Sequence, residues 1–167
     1  MTAAHQPDSV PSPLLVAAWE RLGVLRPESV PMWAAYWIAA GYDGENLIYL
    51  AGLHGDDPRE VHDSLPGALQ DCTVPWPESD VAAAIVAFRN LAQMHLAGQA
   101  GPLWVAQKAE EVVFRSGYSK DVMALPLGQV QGTRDAWETG WGGTKAELAA
   151  TVRKACEEQL AYGALAP

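Results

Sequence analysis

Lysine is missing from the first 107 residues of this 167-residue chain; the first one is Lys108. A protein that grips nucleic acid does so with lysine and arginine that displace counterions from phosphates. Residues 1–83 offer only Arg21, Arg26 and Arg59 against twelve aspartates and glutamates, and this imbalance is the whole of the formal net charge of −9. Residues 84–167 carry eight charges of each sign. Between residues 43 and 80 nine carboxylates face Arg59 alone. Such a field repels nucleic acid and attracts a basic partner.

Cysteine is scarce as well. Cys72 and Cys156 are too few for a disulfide framework in a chain of this size, and both read as reduced thiols in a core. Long apolar runs are absent: the longest uncharged stretch, Asn90 to Gln107, is broken by Gly101-Pro102 and holds three glutamines, so no membrane span is expected. Residues 1–13 lack the basic start and apolar run of a secretory signal and contain Pro7, Pro11 and Pro13. They read as a short disordered lead-in to a cytoplasmic protein. Nor does any segment alternate apolar and polar residues long enough for a convincing strand.

Helix signals fill the space instead. Ser12-Pro13 opens a helix over 14–22, Pro31 one over 32–40, and Asp43 is placed to cap a third over 45–53. Asp57-Pro58-Arg59-Glu60 combines a cap, a proline at the first position and a glutamate in the first turn; that helix should bend or break before Pro66 and resume over 67–71. Ser79 caps the longest apolar face, over 80–97. Pro102 starts a helix that runs to Arg115, and residues 119–124 make a single turn. Thr133 is placed to cap a short helix reaching Gly140, and Thr144-Lys145-Ala146-Glu147 is a capping box for the last helix, which runs to about Tyr162. The expectation is an all-α, single-domain compact bundle of about seven to eight short helices over 14–167.

Catalytic signatures are missing too. The cluster His54, Asp56, Asp57, Glu60, His62, Asp63 has the residue types of a metal site, but His62 follows Glu60 by two positions and points elsewhere on a helix. Neither the Glu-x-x-His pair of di-iron bundles nor His-Glu-x-x-His occurs. Gly140-Trp141-Gly142-Gly143-Thr144-Lys145 departs from the phosphate-binding loop in order and spacing, and reads as a glycine turn feeding a cap. No catalytic residue, metal ligand or cofactor is assigned.

Aromatic residues beside the acidic run make the remaining candidate. Trp33, Trp37 and Tyr42, with Asp43, Glu45, Asp56, Asp57, Glu60 and Asp63, have the composition of a protein–protein contact, aromatic anchors inside a charged rim. The run from Met32 through Asp43 and on to Leu50-Ala51-Gly52-Leu53, then Asp57 to Val61, resembles a loose family of small, all-helical, mostly uncharacterised actinobacterial proteins. Ser116-Gly117-Tyr118-Ser119 and Asp135-Ala136-Trp137-Glu138 extend the likeness over residues 30–160. The resemblance implies a bacterial cytosolic helical domain, with some relatives immunity-like, and carries over no active-site residue. The function expected is an acidic interaction module, an immunity or antitoxin-type inhibitor that meets a basic protein such as a toxin. Two other classes stay open: a small-molecule binder or enzyme with a tryptophan-lined pocket between helices, and an accessory or homodimeric subunit without chemistry of its own.

Overall fold

In the computed structural model, residues 10–164 are described, with side chains to residue 162. The fold is all-helical. Among the described residues there are nine α-helices, eight of them seven residues or longer, and no strand. In order they are α1 (Pro13–Leu22), α2 (Val30–Ala39), α3 (Glu45–Ala51), α4 (Pro58–Asp71), α5 (Asp80–Leu96), α6 (Pro102–Arg115), α7 (Lys120–Met123), α8 (Thr133–Thr139) and α9 (Lys145–Ala164). Two 3-10 turns, Pro27–Ser29 and Pro126–Val130, precede α2 and α8.

The described chain falls into two compact units. One holds the residues up to Glu20 together with Leu25–Trp76; the other holds Arg21–Val24 and everything from Pro77 onward. Of the expected lead-in, residues 1–9 lie outside the described part. Its last residues belong to the fold: Pro11 and Pro13 are buried, the Pro11 carbonyl accepts from Trp37 Nε1 at 2.9 Å, and Ser12 Oγ accepts from Leu15 N at 3.2 Å.

In the first unit α3 packs between α2 and α4. Its core joins Val16 and Ala17 of α1 to Val30, Ala34 and Trp37 of α2, Leu47 and Leu50 of α3, and Val61, Leu65, Ala68, Leu69 and Cys72 in and after α4. Asp57 Oδ1 accepts from Arg59 N at 3.0 Å and Glu60 N at 3.3 Å, the cap expected for α4. That helix then runs unbroken through Pro66. Proline removes one N–H, which leaves the His62 carbonyl without its helical donor. Pro66 lies on the exposed side, where water reaches the backbone, while Leu65, Ala68 and Leu69 on the other side are buried. Packing on that inner face outweighs the local penalty.

The start of α3 also differs from expectation. Asp43 turns back on the adjacent Gly44 amide at 2.9 Å and does not cap the helix. Asp71, at the far end of α4, does so instead, with Oδ2 accepting from Leu47 N at 3.0 Å and Oδ1 from Asn46 Nδ2 at 3.4 Å. Gly44, at φ 155°, lies so close to the Asp71 carboxyl that no Cβ would fit.

In the second unit α5 packs along α9 and beside α6, with Phe88 and Ala84 of α5 fully buried. Arg21 Nε pairs with Asp80 at 3.2 Å and its Nη1 donates to the Pro77 carbonyl at 3.1 Å. Ser79 caps α5 through Ala82 N at 3.1 Å, and Thr144 Oγ1 accepts from Glu147 N at 3.2 Å at the start of α9. Thr133 does not cap α8; it is the first residue of that helix and is buried, with Gly132 before it. The 3-10 turn Pro126–Val130 rests on α9, where buried Gln159 Oε1 accepts from Leu127 N at 3.1 Å.

Candidate functional site

The aromatic residues divide sharply. Trp37, expected among the docking aromatics, is a core residue: it is 3% exposed and its indole N–H is tied to Pro11. Its ring belongs to the core shared with α1, α3 and α4, so it cannot serve as a surface anchor. Trp33 is half-buried, with its ring 5.9 Å from that of Trp19 at a 49° tilt. Tyr42 stays on the surface at 40% exposure.

Two residues of α3 are exposed near it. Ile48 and Tyr49 on α3 are each 56% exposed, and the Tyr49 hydroxyl donates to Glu60 Oε1 at 2.6 Å. That hydrogen bond, with the negative charge of Glu60, holds the Tyr49 phenol above its ordinary pKa of 10.0. The contact ties the outer face of α3 to the first turn of α4. Sequence spacing gives no hint of it, because the pair is eleven positions apart across a turn; the surface position of Tyr49, on the side of α3 away from Leu47 and Leu50, was the available signal.

Between α3 and α4 the chain turns through Gly52, Leu53, His54, Gly55, Asp56 and Asp57, which with Glu60 line a shallow cavity of about 190 Å³. Gly55 sits at φ 76° with its Cα face against the Glu28 carbonyl; an added Cβ would stand 2.7 Å from that oxygen. The turn thus approaches Pro27–Ser29 closely enough to require glycine. Asp56 and Asp63 are exposed, Asp57 is engaged in its cap, and His62 leaves the cluster: its Nδ1 meets Glu20 at 2.9 Å. Among the described residues no group of three histidine, cysteine, aspartate or glutamate side chains stands close enough to hold a metal ion.

The charges of the two units are handled differently. On the second unit Lys108–Glu111, Arg134–Glu138, Arg153–Glu157 and Lys154–Glu158 pair within their own helices. On the first, Asp43, Glu45, Asp56, Asp57, Glu60 and Asp63 have no cationic partner among the described residues. Their hydrogen bonds go to backbone amides and to a tyrosine, neither of which cancels a charge.

Both thiols are buried. Burial, reinforced by the charge of Glu157, pushes Cys156 up to about 11, and burial with the neighbouring Asp71 raises Cys72. Among the described residues no helix is long and apolar enough to cross a membrane. Comparison of the chain with protein-family models, with curated proteins and with solved structures gave no match.

Proposed function

We propose that the first unit is a docking module for a basic protein, with Tyr42, Ile48 and Tyr49 as anchors and Asp43, Glu45, Asp56, Glu60 and Asp63 as the charged rim. The observation that carries this reading is the set of uncompensated carboxylates around exposed aromatic and aliphatic side chains. Four carboxylates of the second unit pair with a cation of their own helix, whereas none of Asp43, Glu45, Asp56, Asp57, Glu60 and Asp63 has a cationic partner among the described residues. Uncompensated charge raises the encounter rate with a basic partner, and the desolvated anchors govern how long the complex lasts. An immunity or antitoxin-type inhibitor works in this way, and the likeness of residues 30–160 to helical actinobacterial proteins belongs to the same proposal.

The test begins with a photocrosslinking amino acid at Ile48 in the living host, which identifies the bound protein. Asp56→Lys and Asp63→Lys together are then measured against that purified partner; both side chains are exposed and neither makes a cap. Association should slow about tenfold at low salt and converge with the parent rate when salt screens the field. Glu110→Lys with Glu157→Lys, on the second unit, should leave the rate within about twofold. An association rate that ignores the first pair overturns the proposal.

A further inference from the structure

α2 is apolar all round. Its ten residues, Val30–Ala39, contain no charge and no side chain more polar than a tyrosine or tryptophan. A helix of that kind is normally enclosed on every side, yet α2 buries only Val30, Pro31, Ala34 and Trp37. Met32 is 44% exposed, and Ala35 and Ala39 are exposed on the same outer side. α3, which packs on α2, adds Ile48 and Tyr49, and Tyr42 lies in the turn between the two helices. Four of the large exposed apolar side chains of the described chain thus come from residues 32–49; Asp43 follows Tyr42, Glu45 lies one helical turn before Ile48 and Tyr49, and Glu60 accepts from Tyr49.

From this face we infer that the basic partner docks through an amphipathic α-helix, its apolar stripe laid along the outer side of α2 and α3 and its lysines or arginines turned to Asp43, Glu45 and Glu60. The inference rests on the docking proposal above and names the element that docks. Charge complementarity sets the sign of the partner's flanks. The secondary structure follows from backbone accounting. The face is built of two helices whose amides and carbonyls are already engaged, so it offers no strand edge to an extended peptide. A segment that covers an apolar face without backbone partners either leaves its backbone to water, as a proline-rich segment does, or satisfies its own hydrogen bonds as a helix does, and only the helix also presents a continuous apolar stripe.

The probe is a synthetic peptide of about 18 residues in which leucine and lysine follow helical spacing, compared with the same composition in scrambled order and with a proline-rich cationic peptide. Binding to the full chain is read by fluorescence anisotropy. The helical pattern should bind at least about tenfold tighter than either control. Met32→Glu with Ile48→Glu gives the decisive sign. Both positions are exposed, so the fold is retained, as circular dichroism will check. Added negative charge strengthens binding if attraction alone operates; if leucines seat on an apolar face, the double variant weakens it by about tenfold or more. Equal binding of the scrambled peptide, preference for the proline-rich one, or tighter binding by the double variant overturns the helix inference and leaves the basic-partner proposal standing. Absence of salt-sensitive binding to every cationic peptide overturns both.

Discussion

Asp71 shows how much one side chain at a distance can decide. It stands at the N-terminal end of α3 as an N-cap residue would, although it comes from 24 positions later in the chain. Asp71→Ala removes the acceptor for Leu47 N and Asn46 Nδ2 and should lower stability by about 1–2 kcal/mol, as loss of a helix cap does. Asp71→Asn keeps a carbonyl oxygen in place and should recover most of that loss in the same denaturant titration. Cys156 makes a separate prediction with a definite sign. An unfolded thiol releases its proton near 9, whereas the folded one holds it to about 11. The folded state therefore binds more protons across that interval, so stability present below pH 9 is lost as pH rises towards 11. The denaturant midpoint should fall over this range, and less steeply in Cys156→Ala.

At the scale of elements, start and stop signals told most of the story. Ser12, Asp57, Ser79 and Thr144 all accept the backbone amides that a capping residue should. Those signals are local, and a local pattern is legible from a single chain. Three failures share one physical cause, contacts between residues far apart. Asp43 has the right type and position for a cap but loses the place to Asp71. Pro66 should interrupt α4 but lies on the solvent side of a helix held by its inner face. Trp37 belongs to the same helix as Trp33, and only the seat of its indole against Pro11 separates core from surface. The proposed docking set divides for this reason: its charges are countable in the sequence, while the exposure of Ile48 and Tyr49 depends on which side of α3 meets its neighbours. Replacing Pro66 tests the packing argument. Pro66→Ala restores an amide to an exposed helix position and should stabilise the protein by about 1–3 kcal/mol. A destabilised variant would mean that the proline ring itself packs usefully.

For the whole molecule, the helix-borne ion pairs of the second unit and the six carboxylates of residues 43–63 that lack a cation imply a definite response to salt. Exposed pairs such as Arg153–Glu157 contribute little, so screening them costs little. Asp43, Glu45, Asp56, Asp57, Glu60 and Asp63 have no ion-pair partner among the described residues, so added salt relieves the repulsion among them. Thermal melting at about 20 mM and about 500 mM sodium chloride should therefore show a higher midpoint at the higher salt. A fall would indicate that the helix-borne pairs dominate.

α1 has a bearing on how the protein can be cut apart and on how it is made. Its residues up to Glu20 belong to one unit and Arg21 and Leu22 to the other. A growing polypeptide that has left the ribosome as far as Trp76 holds every residue of the first unit, but Arg21 still lacks the Asp80 carboxylate and the Pro77 carbonyl that it binds. The four-residue segment 21–24 waits for the rest of its unit while the chain on both sides of it can already pack. Excision has the mirror-image difficulty: a fragment beginning at Leu25 loses Val16 and Ala17 from its core, and one beginning at Pro77 loses Arg21 and the buried Leu22. Trimming this protein to a minimal binding domain must therefore keep α1 and accept a stranded arginine at its end.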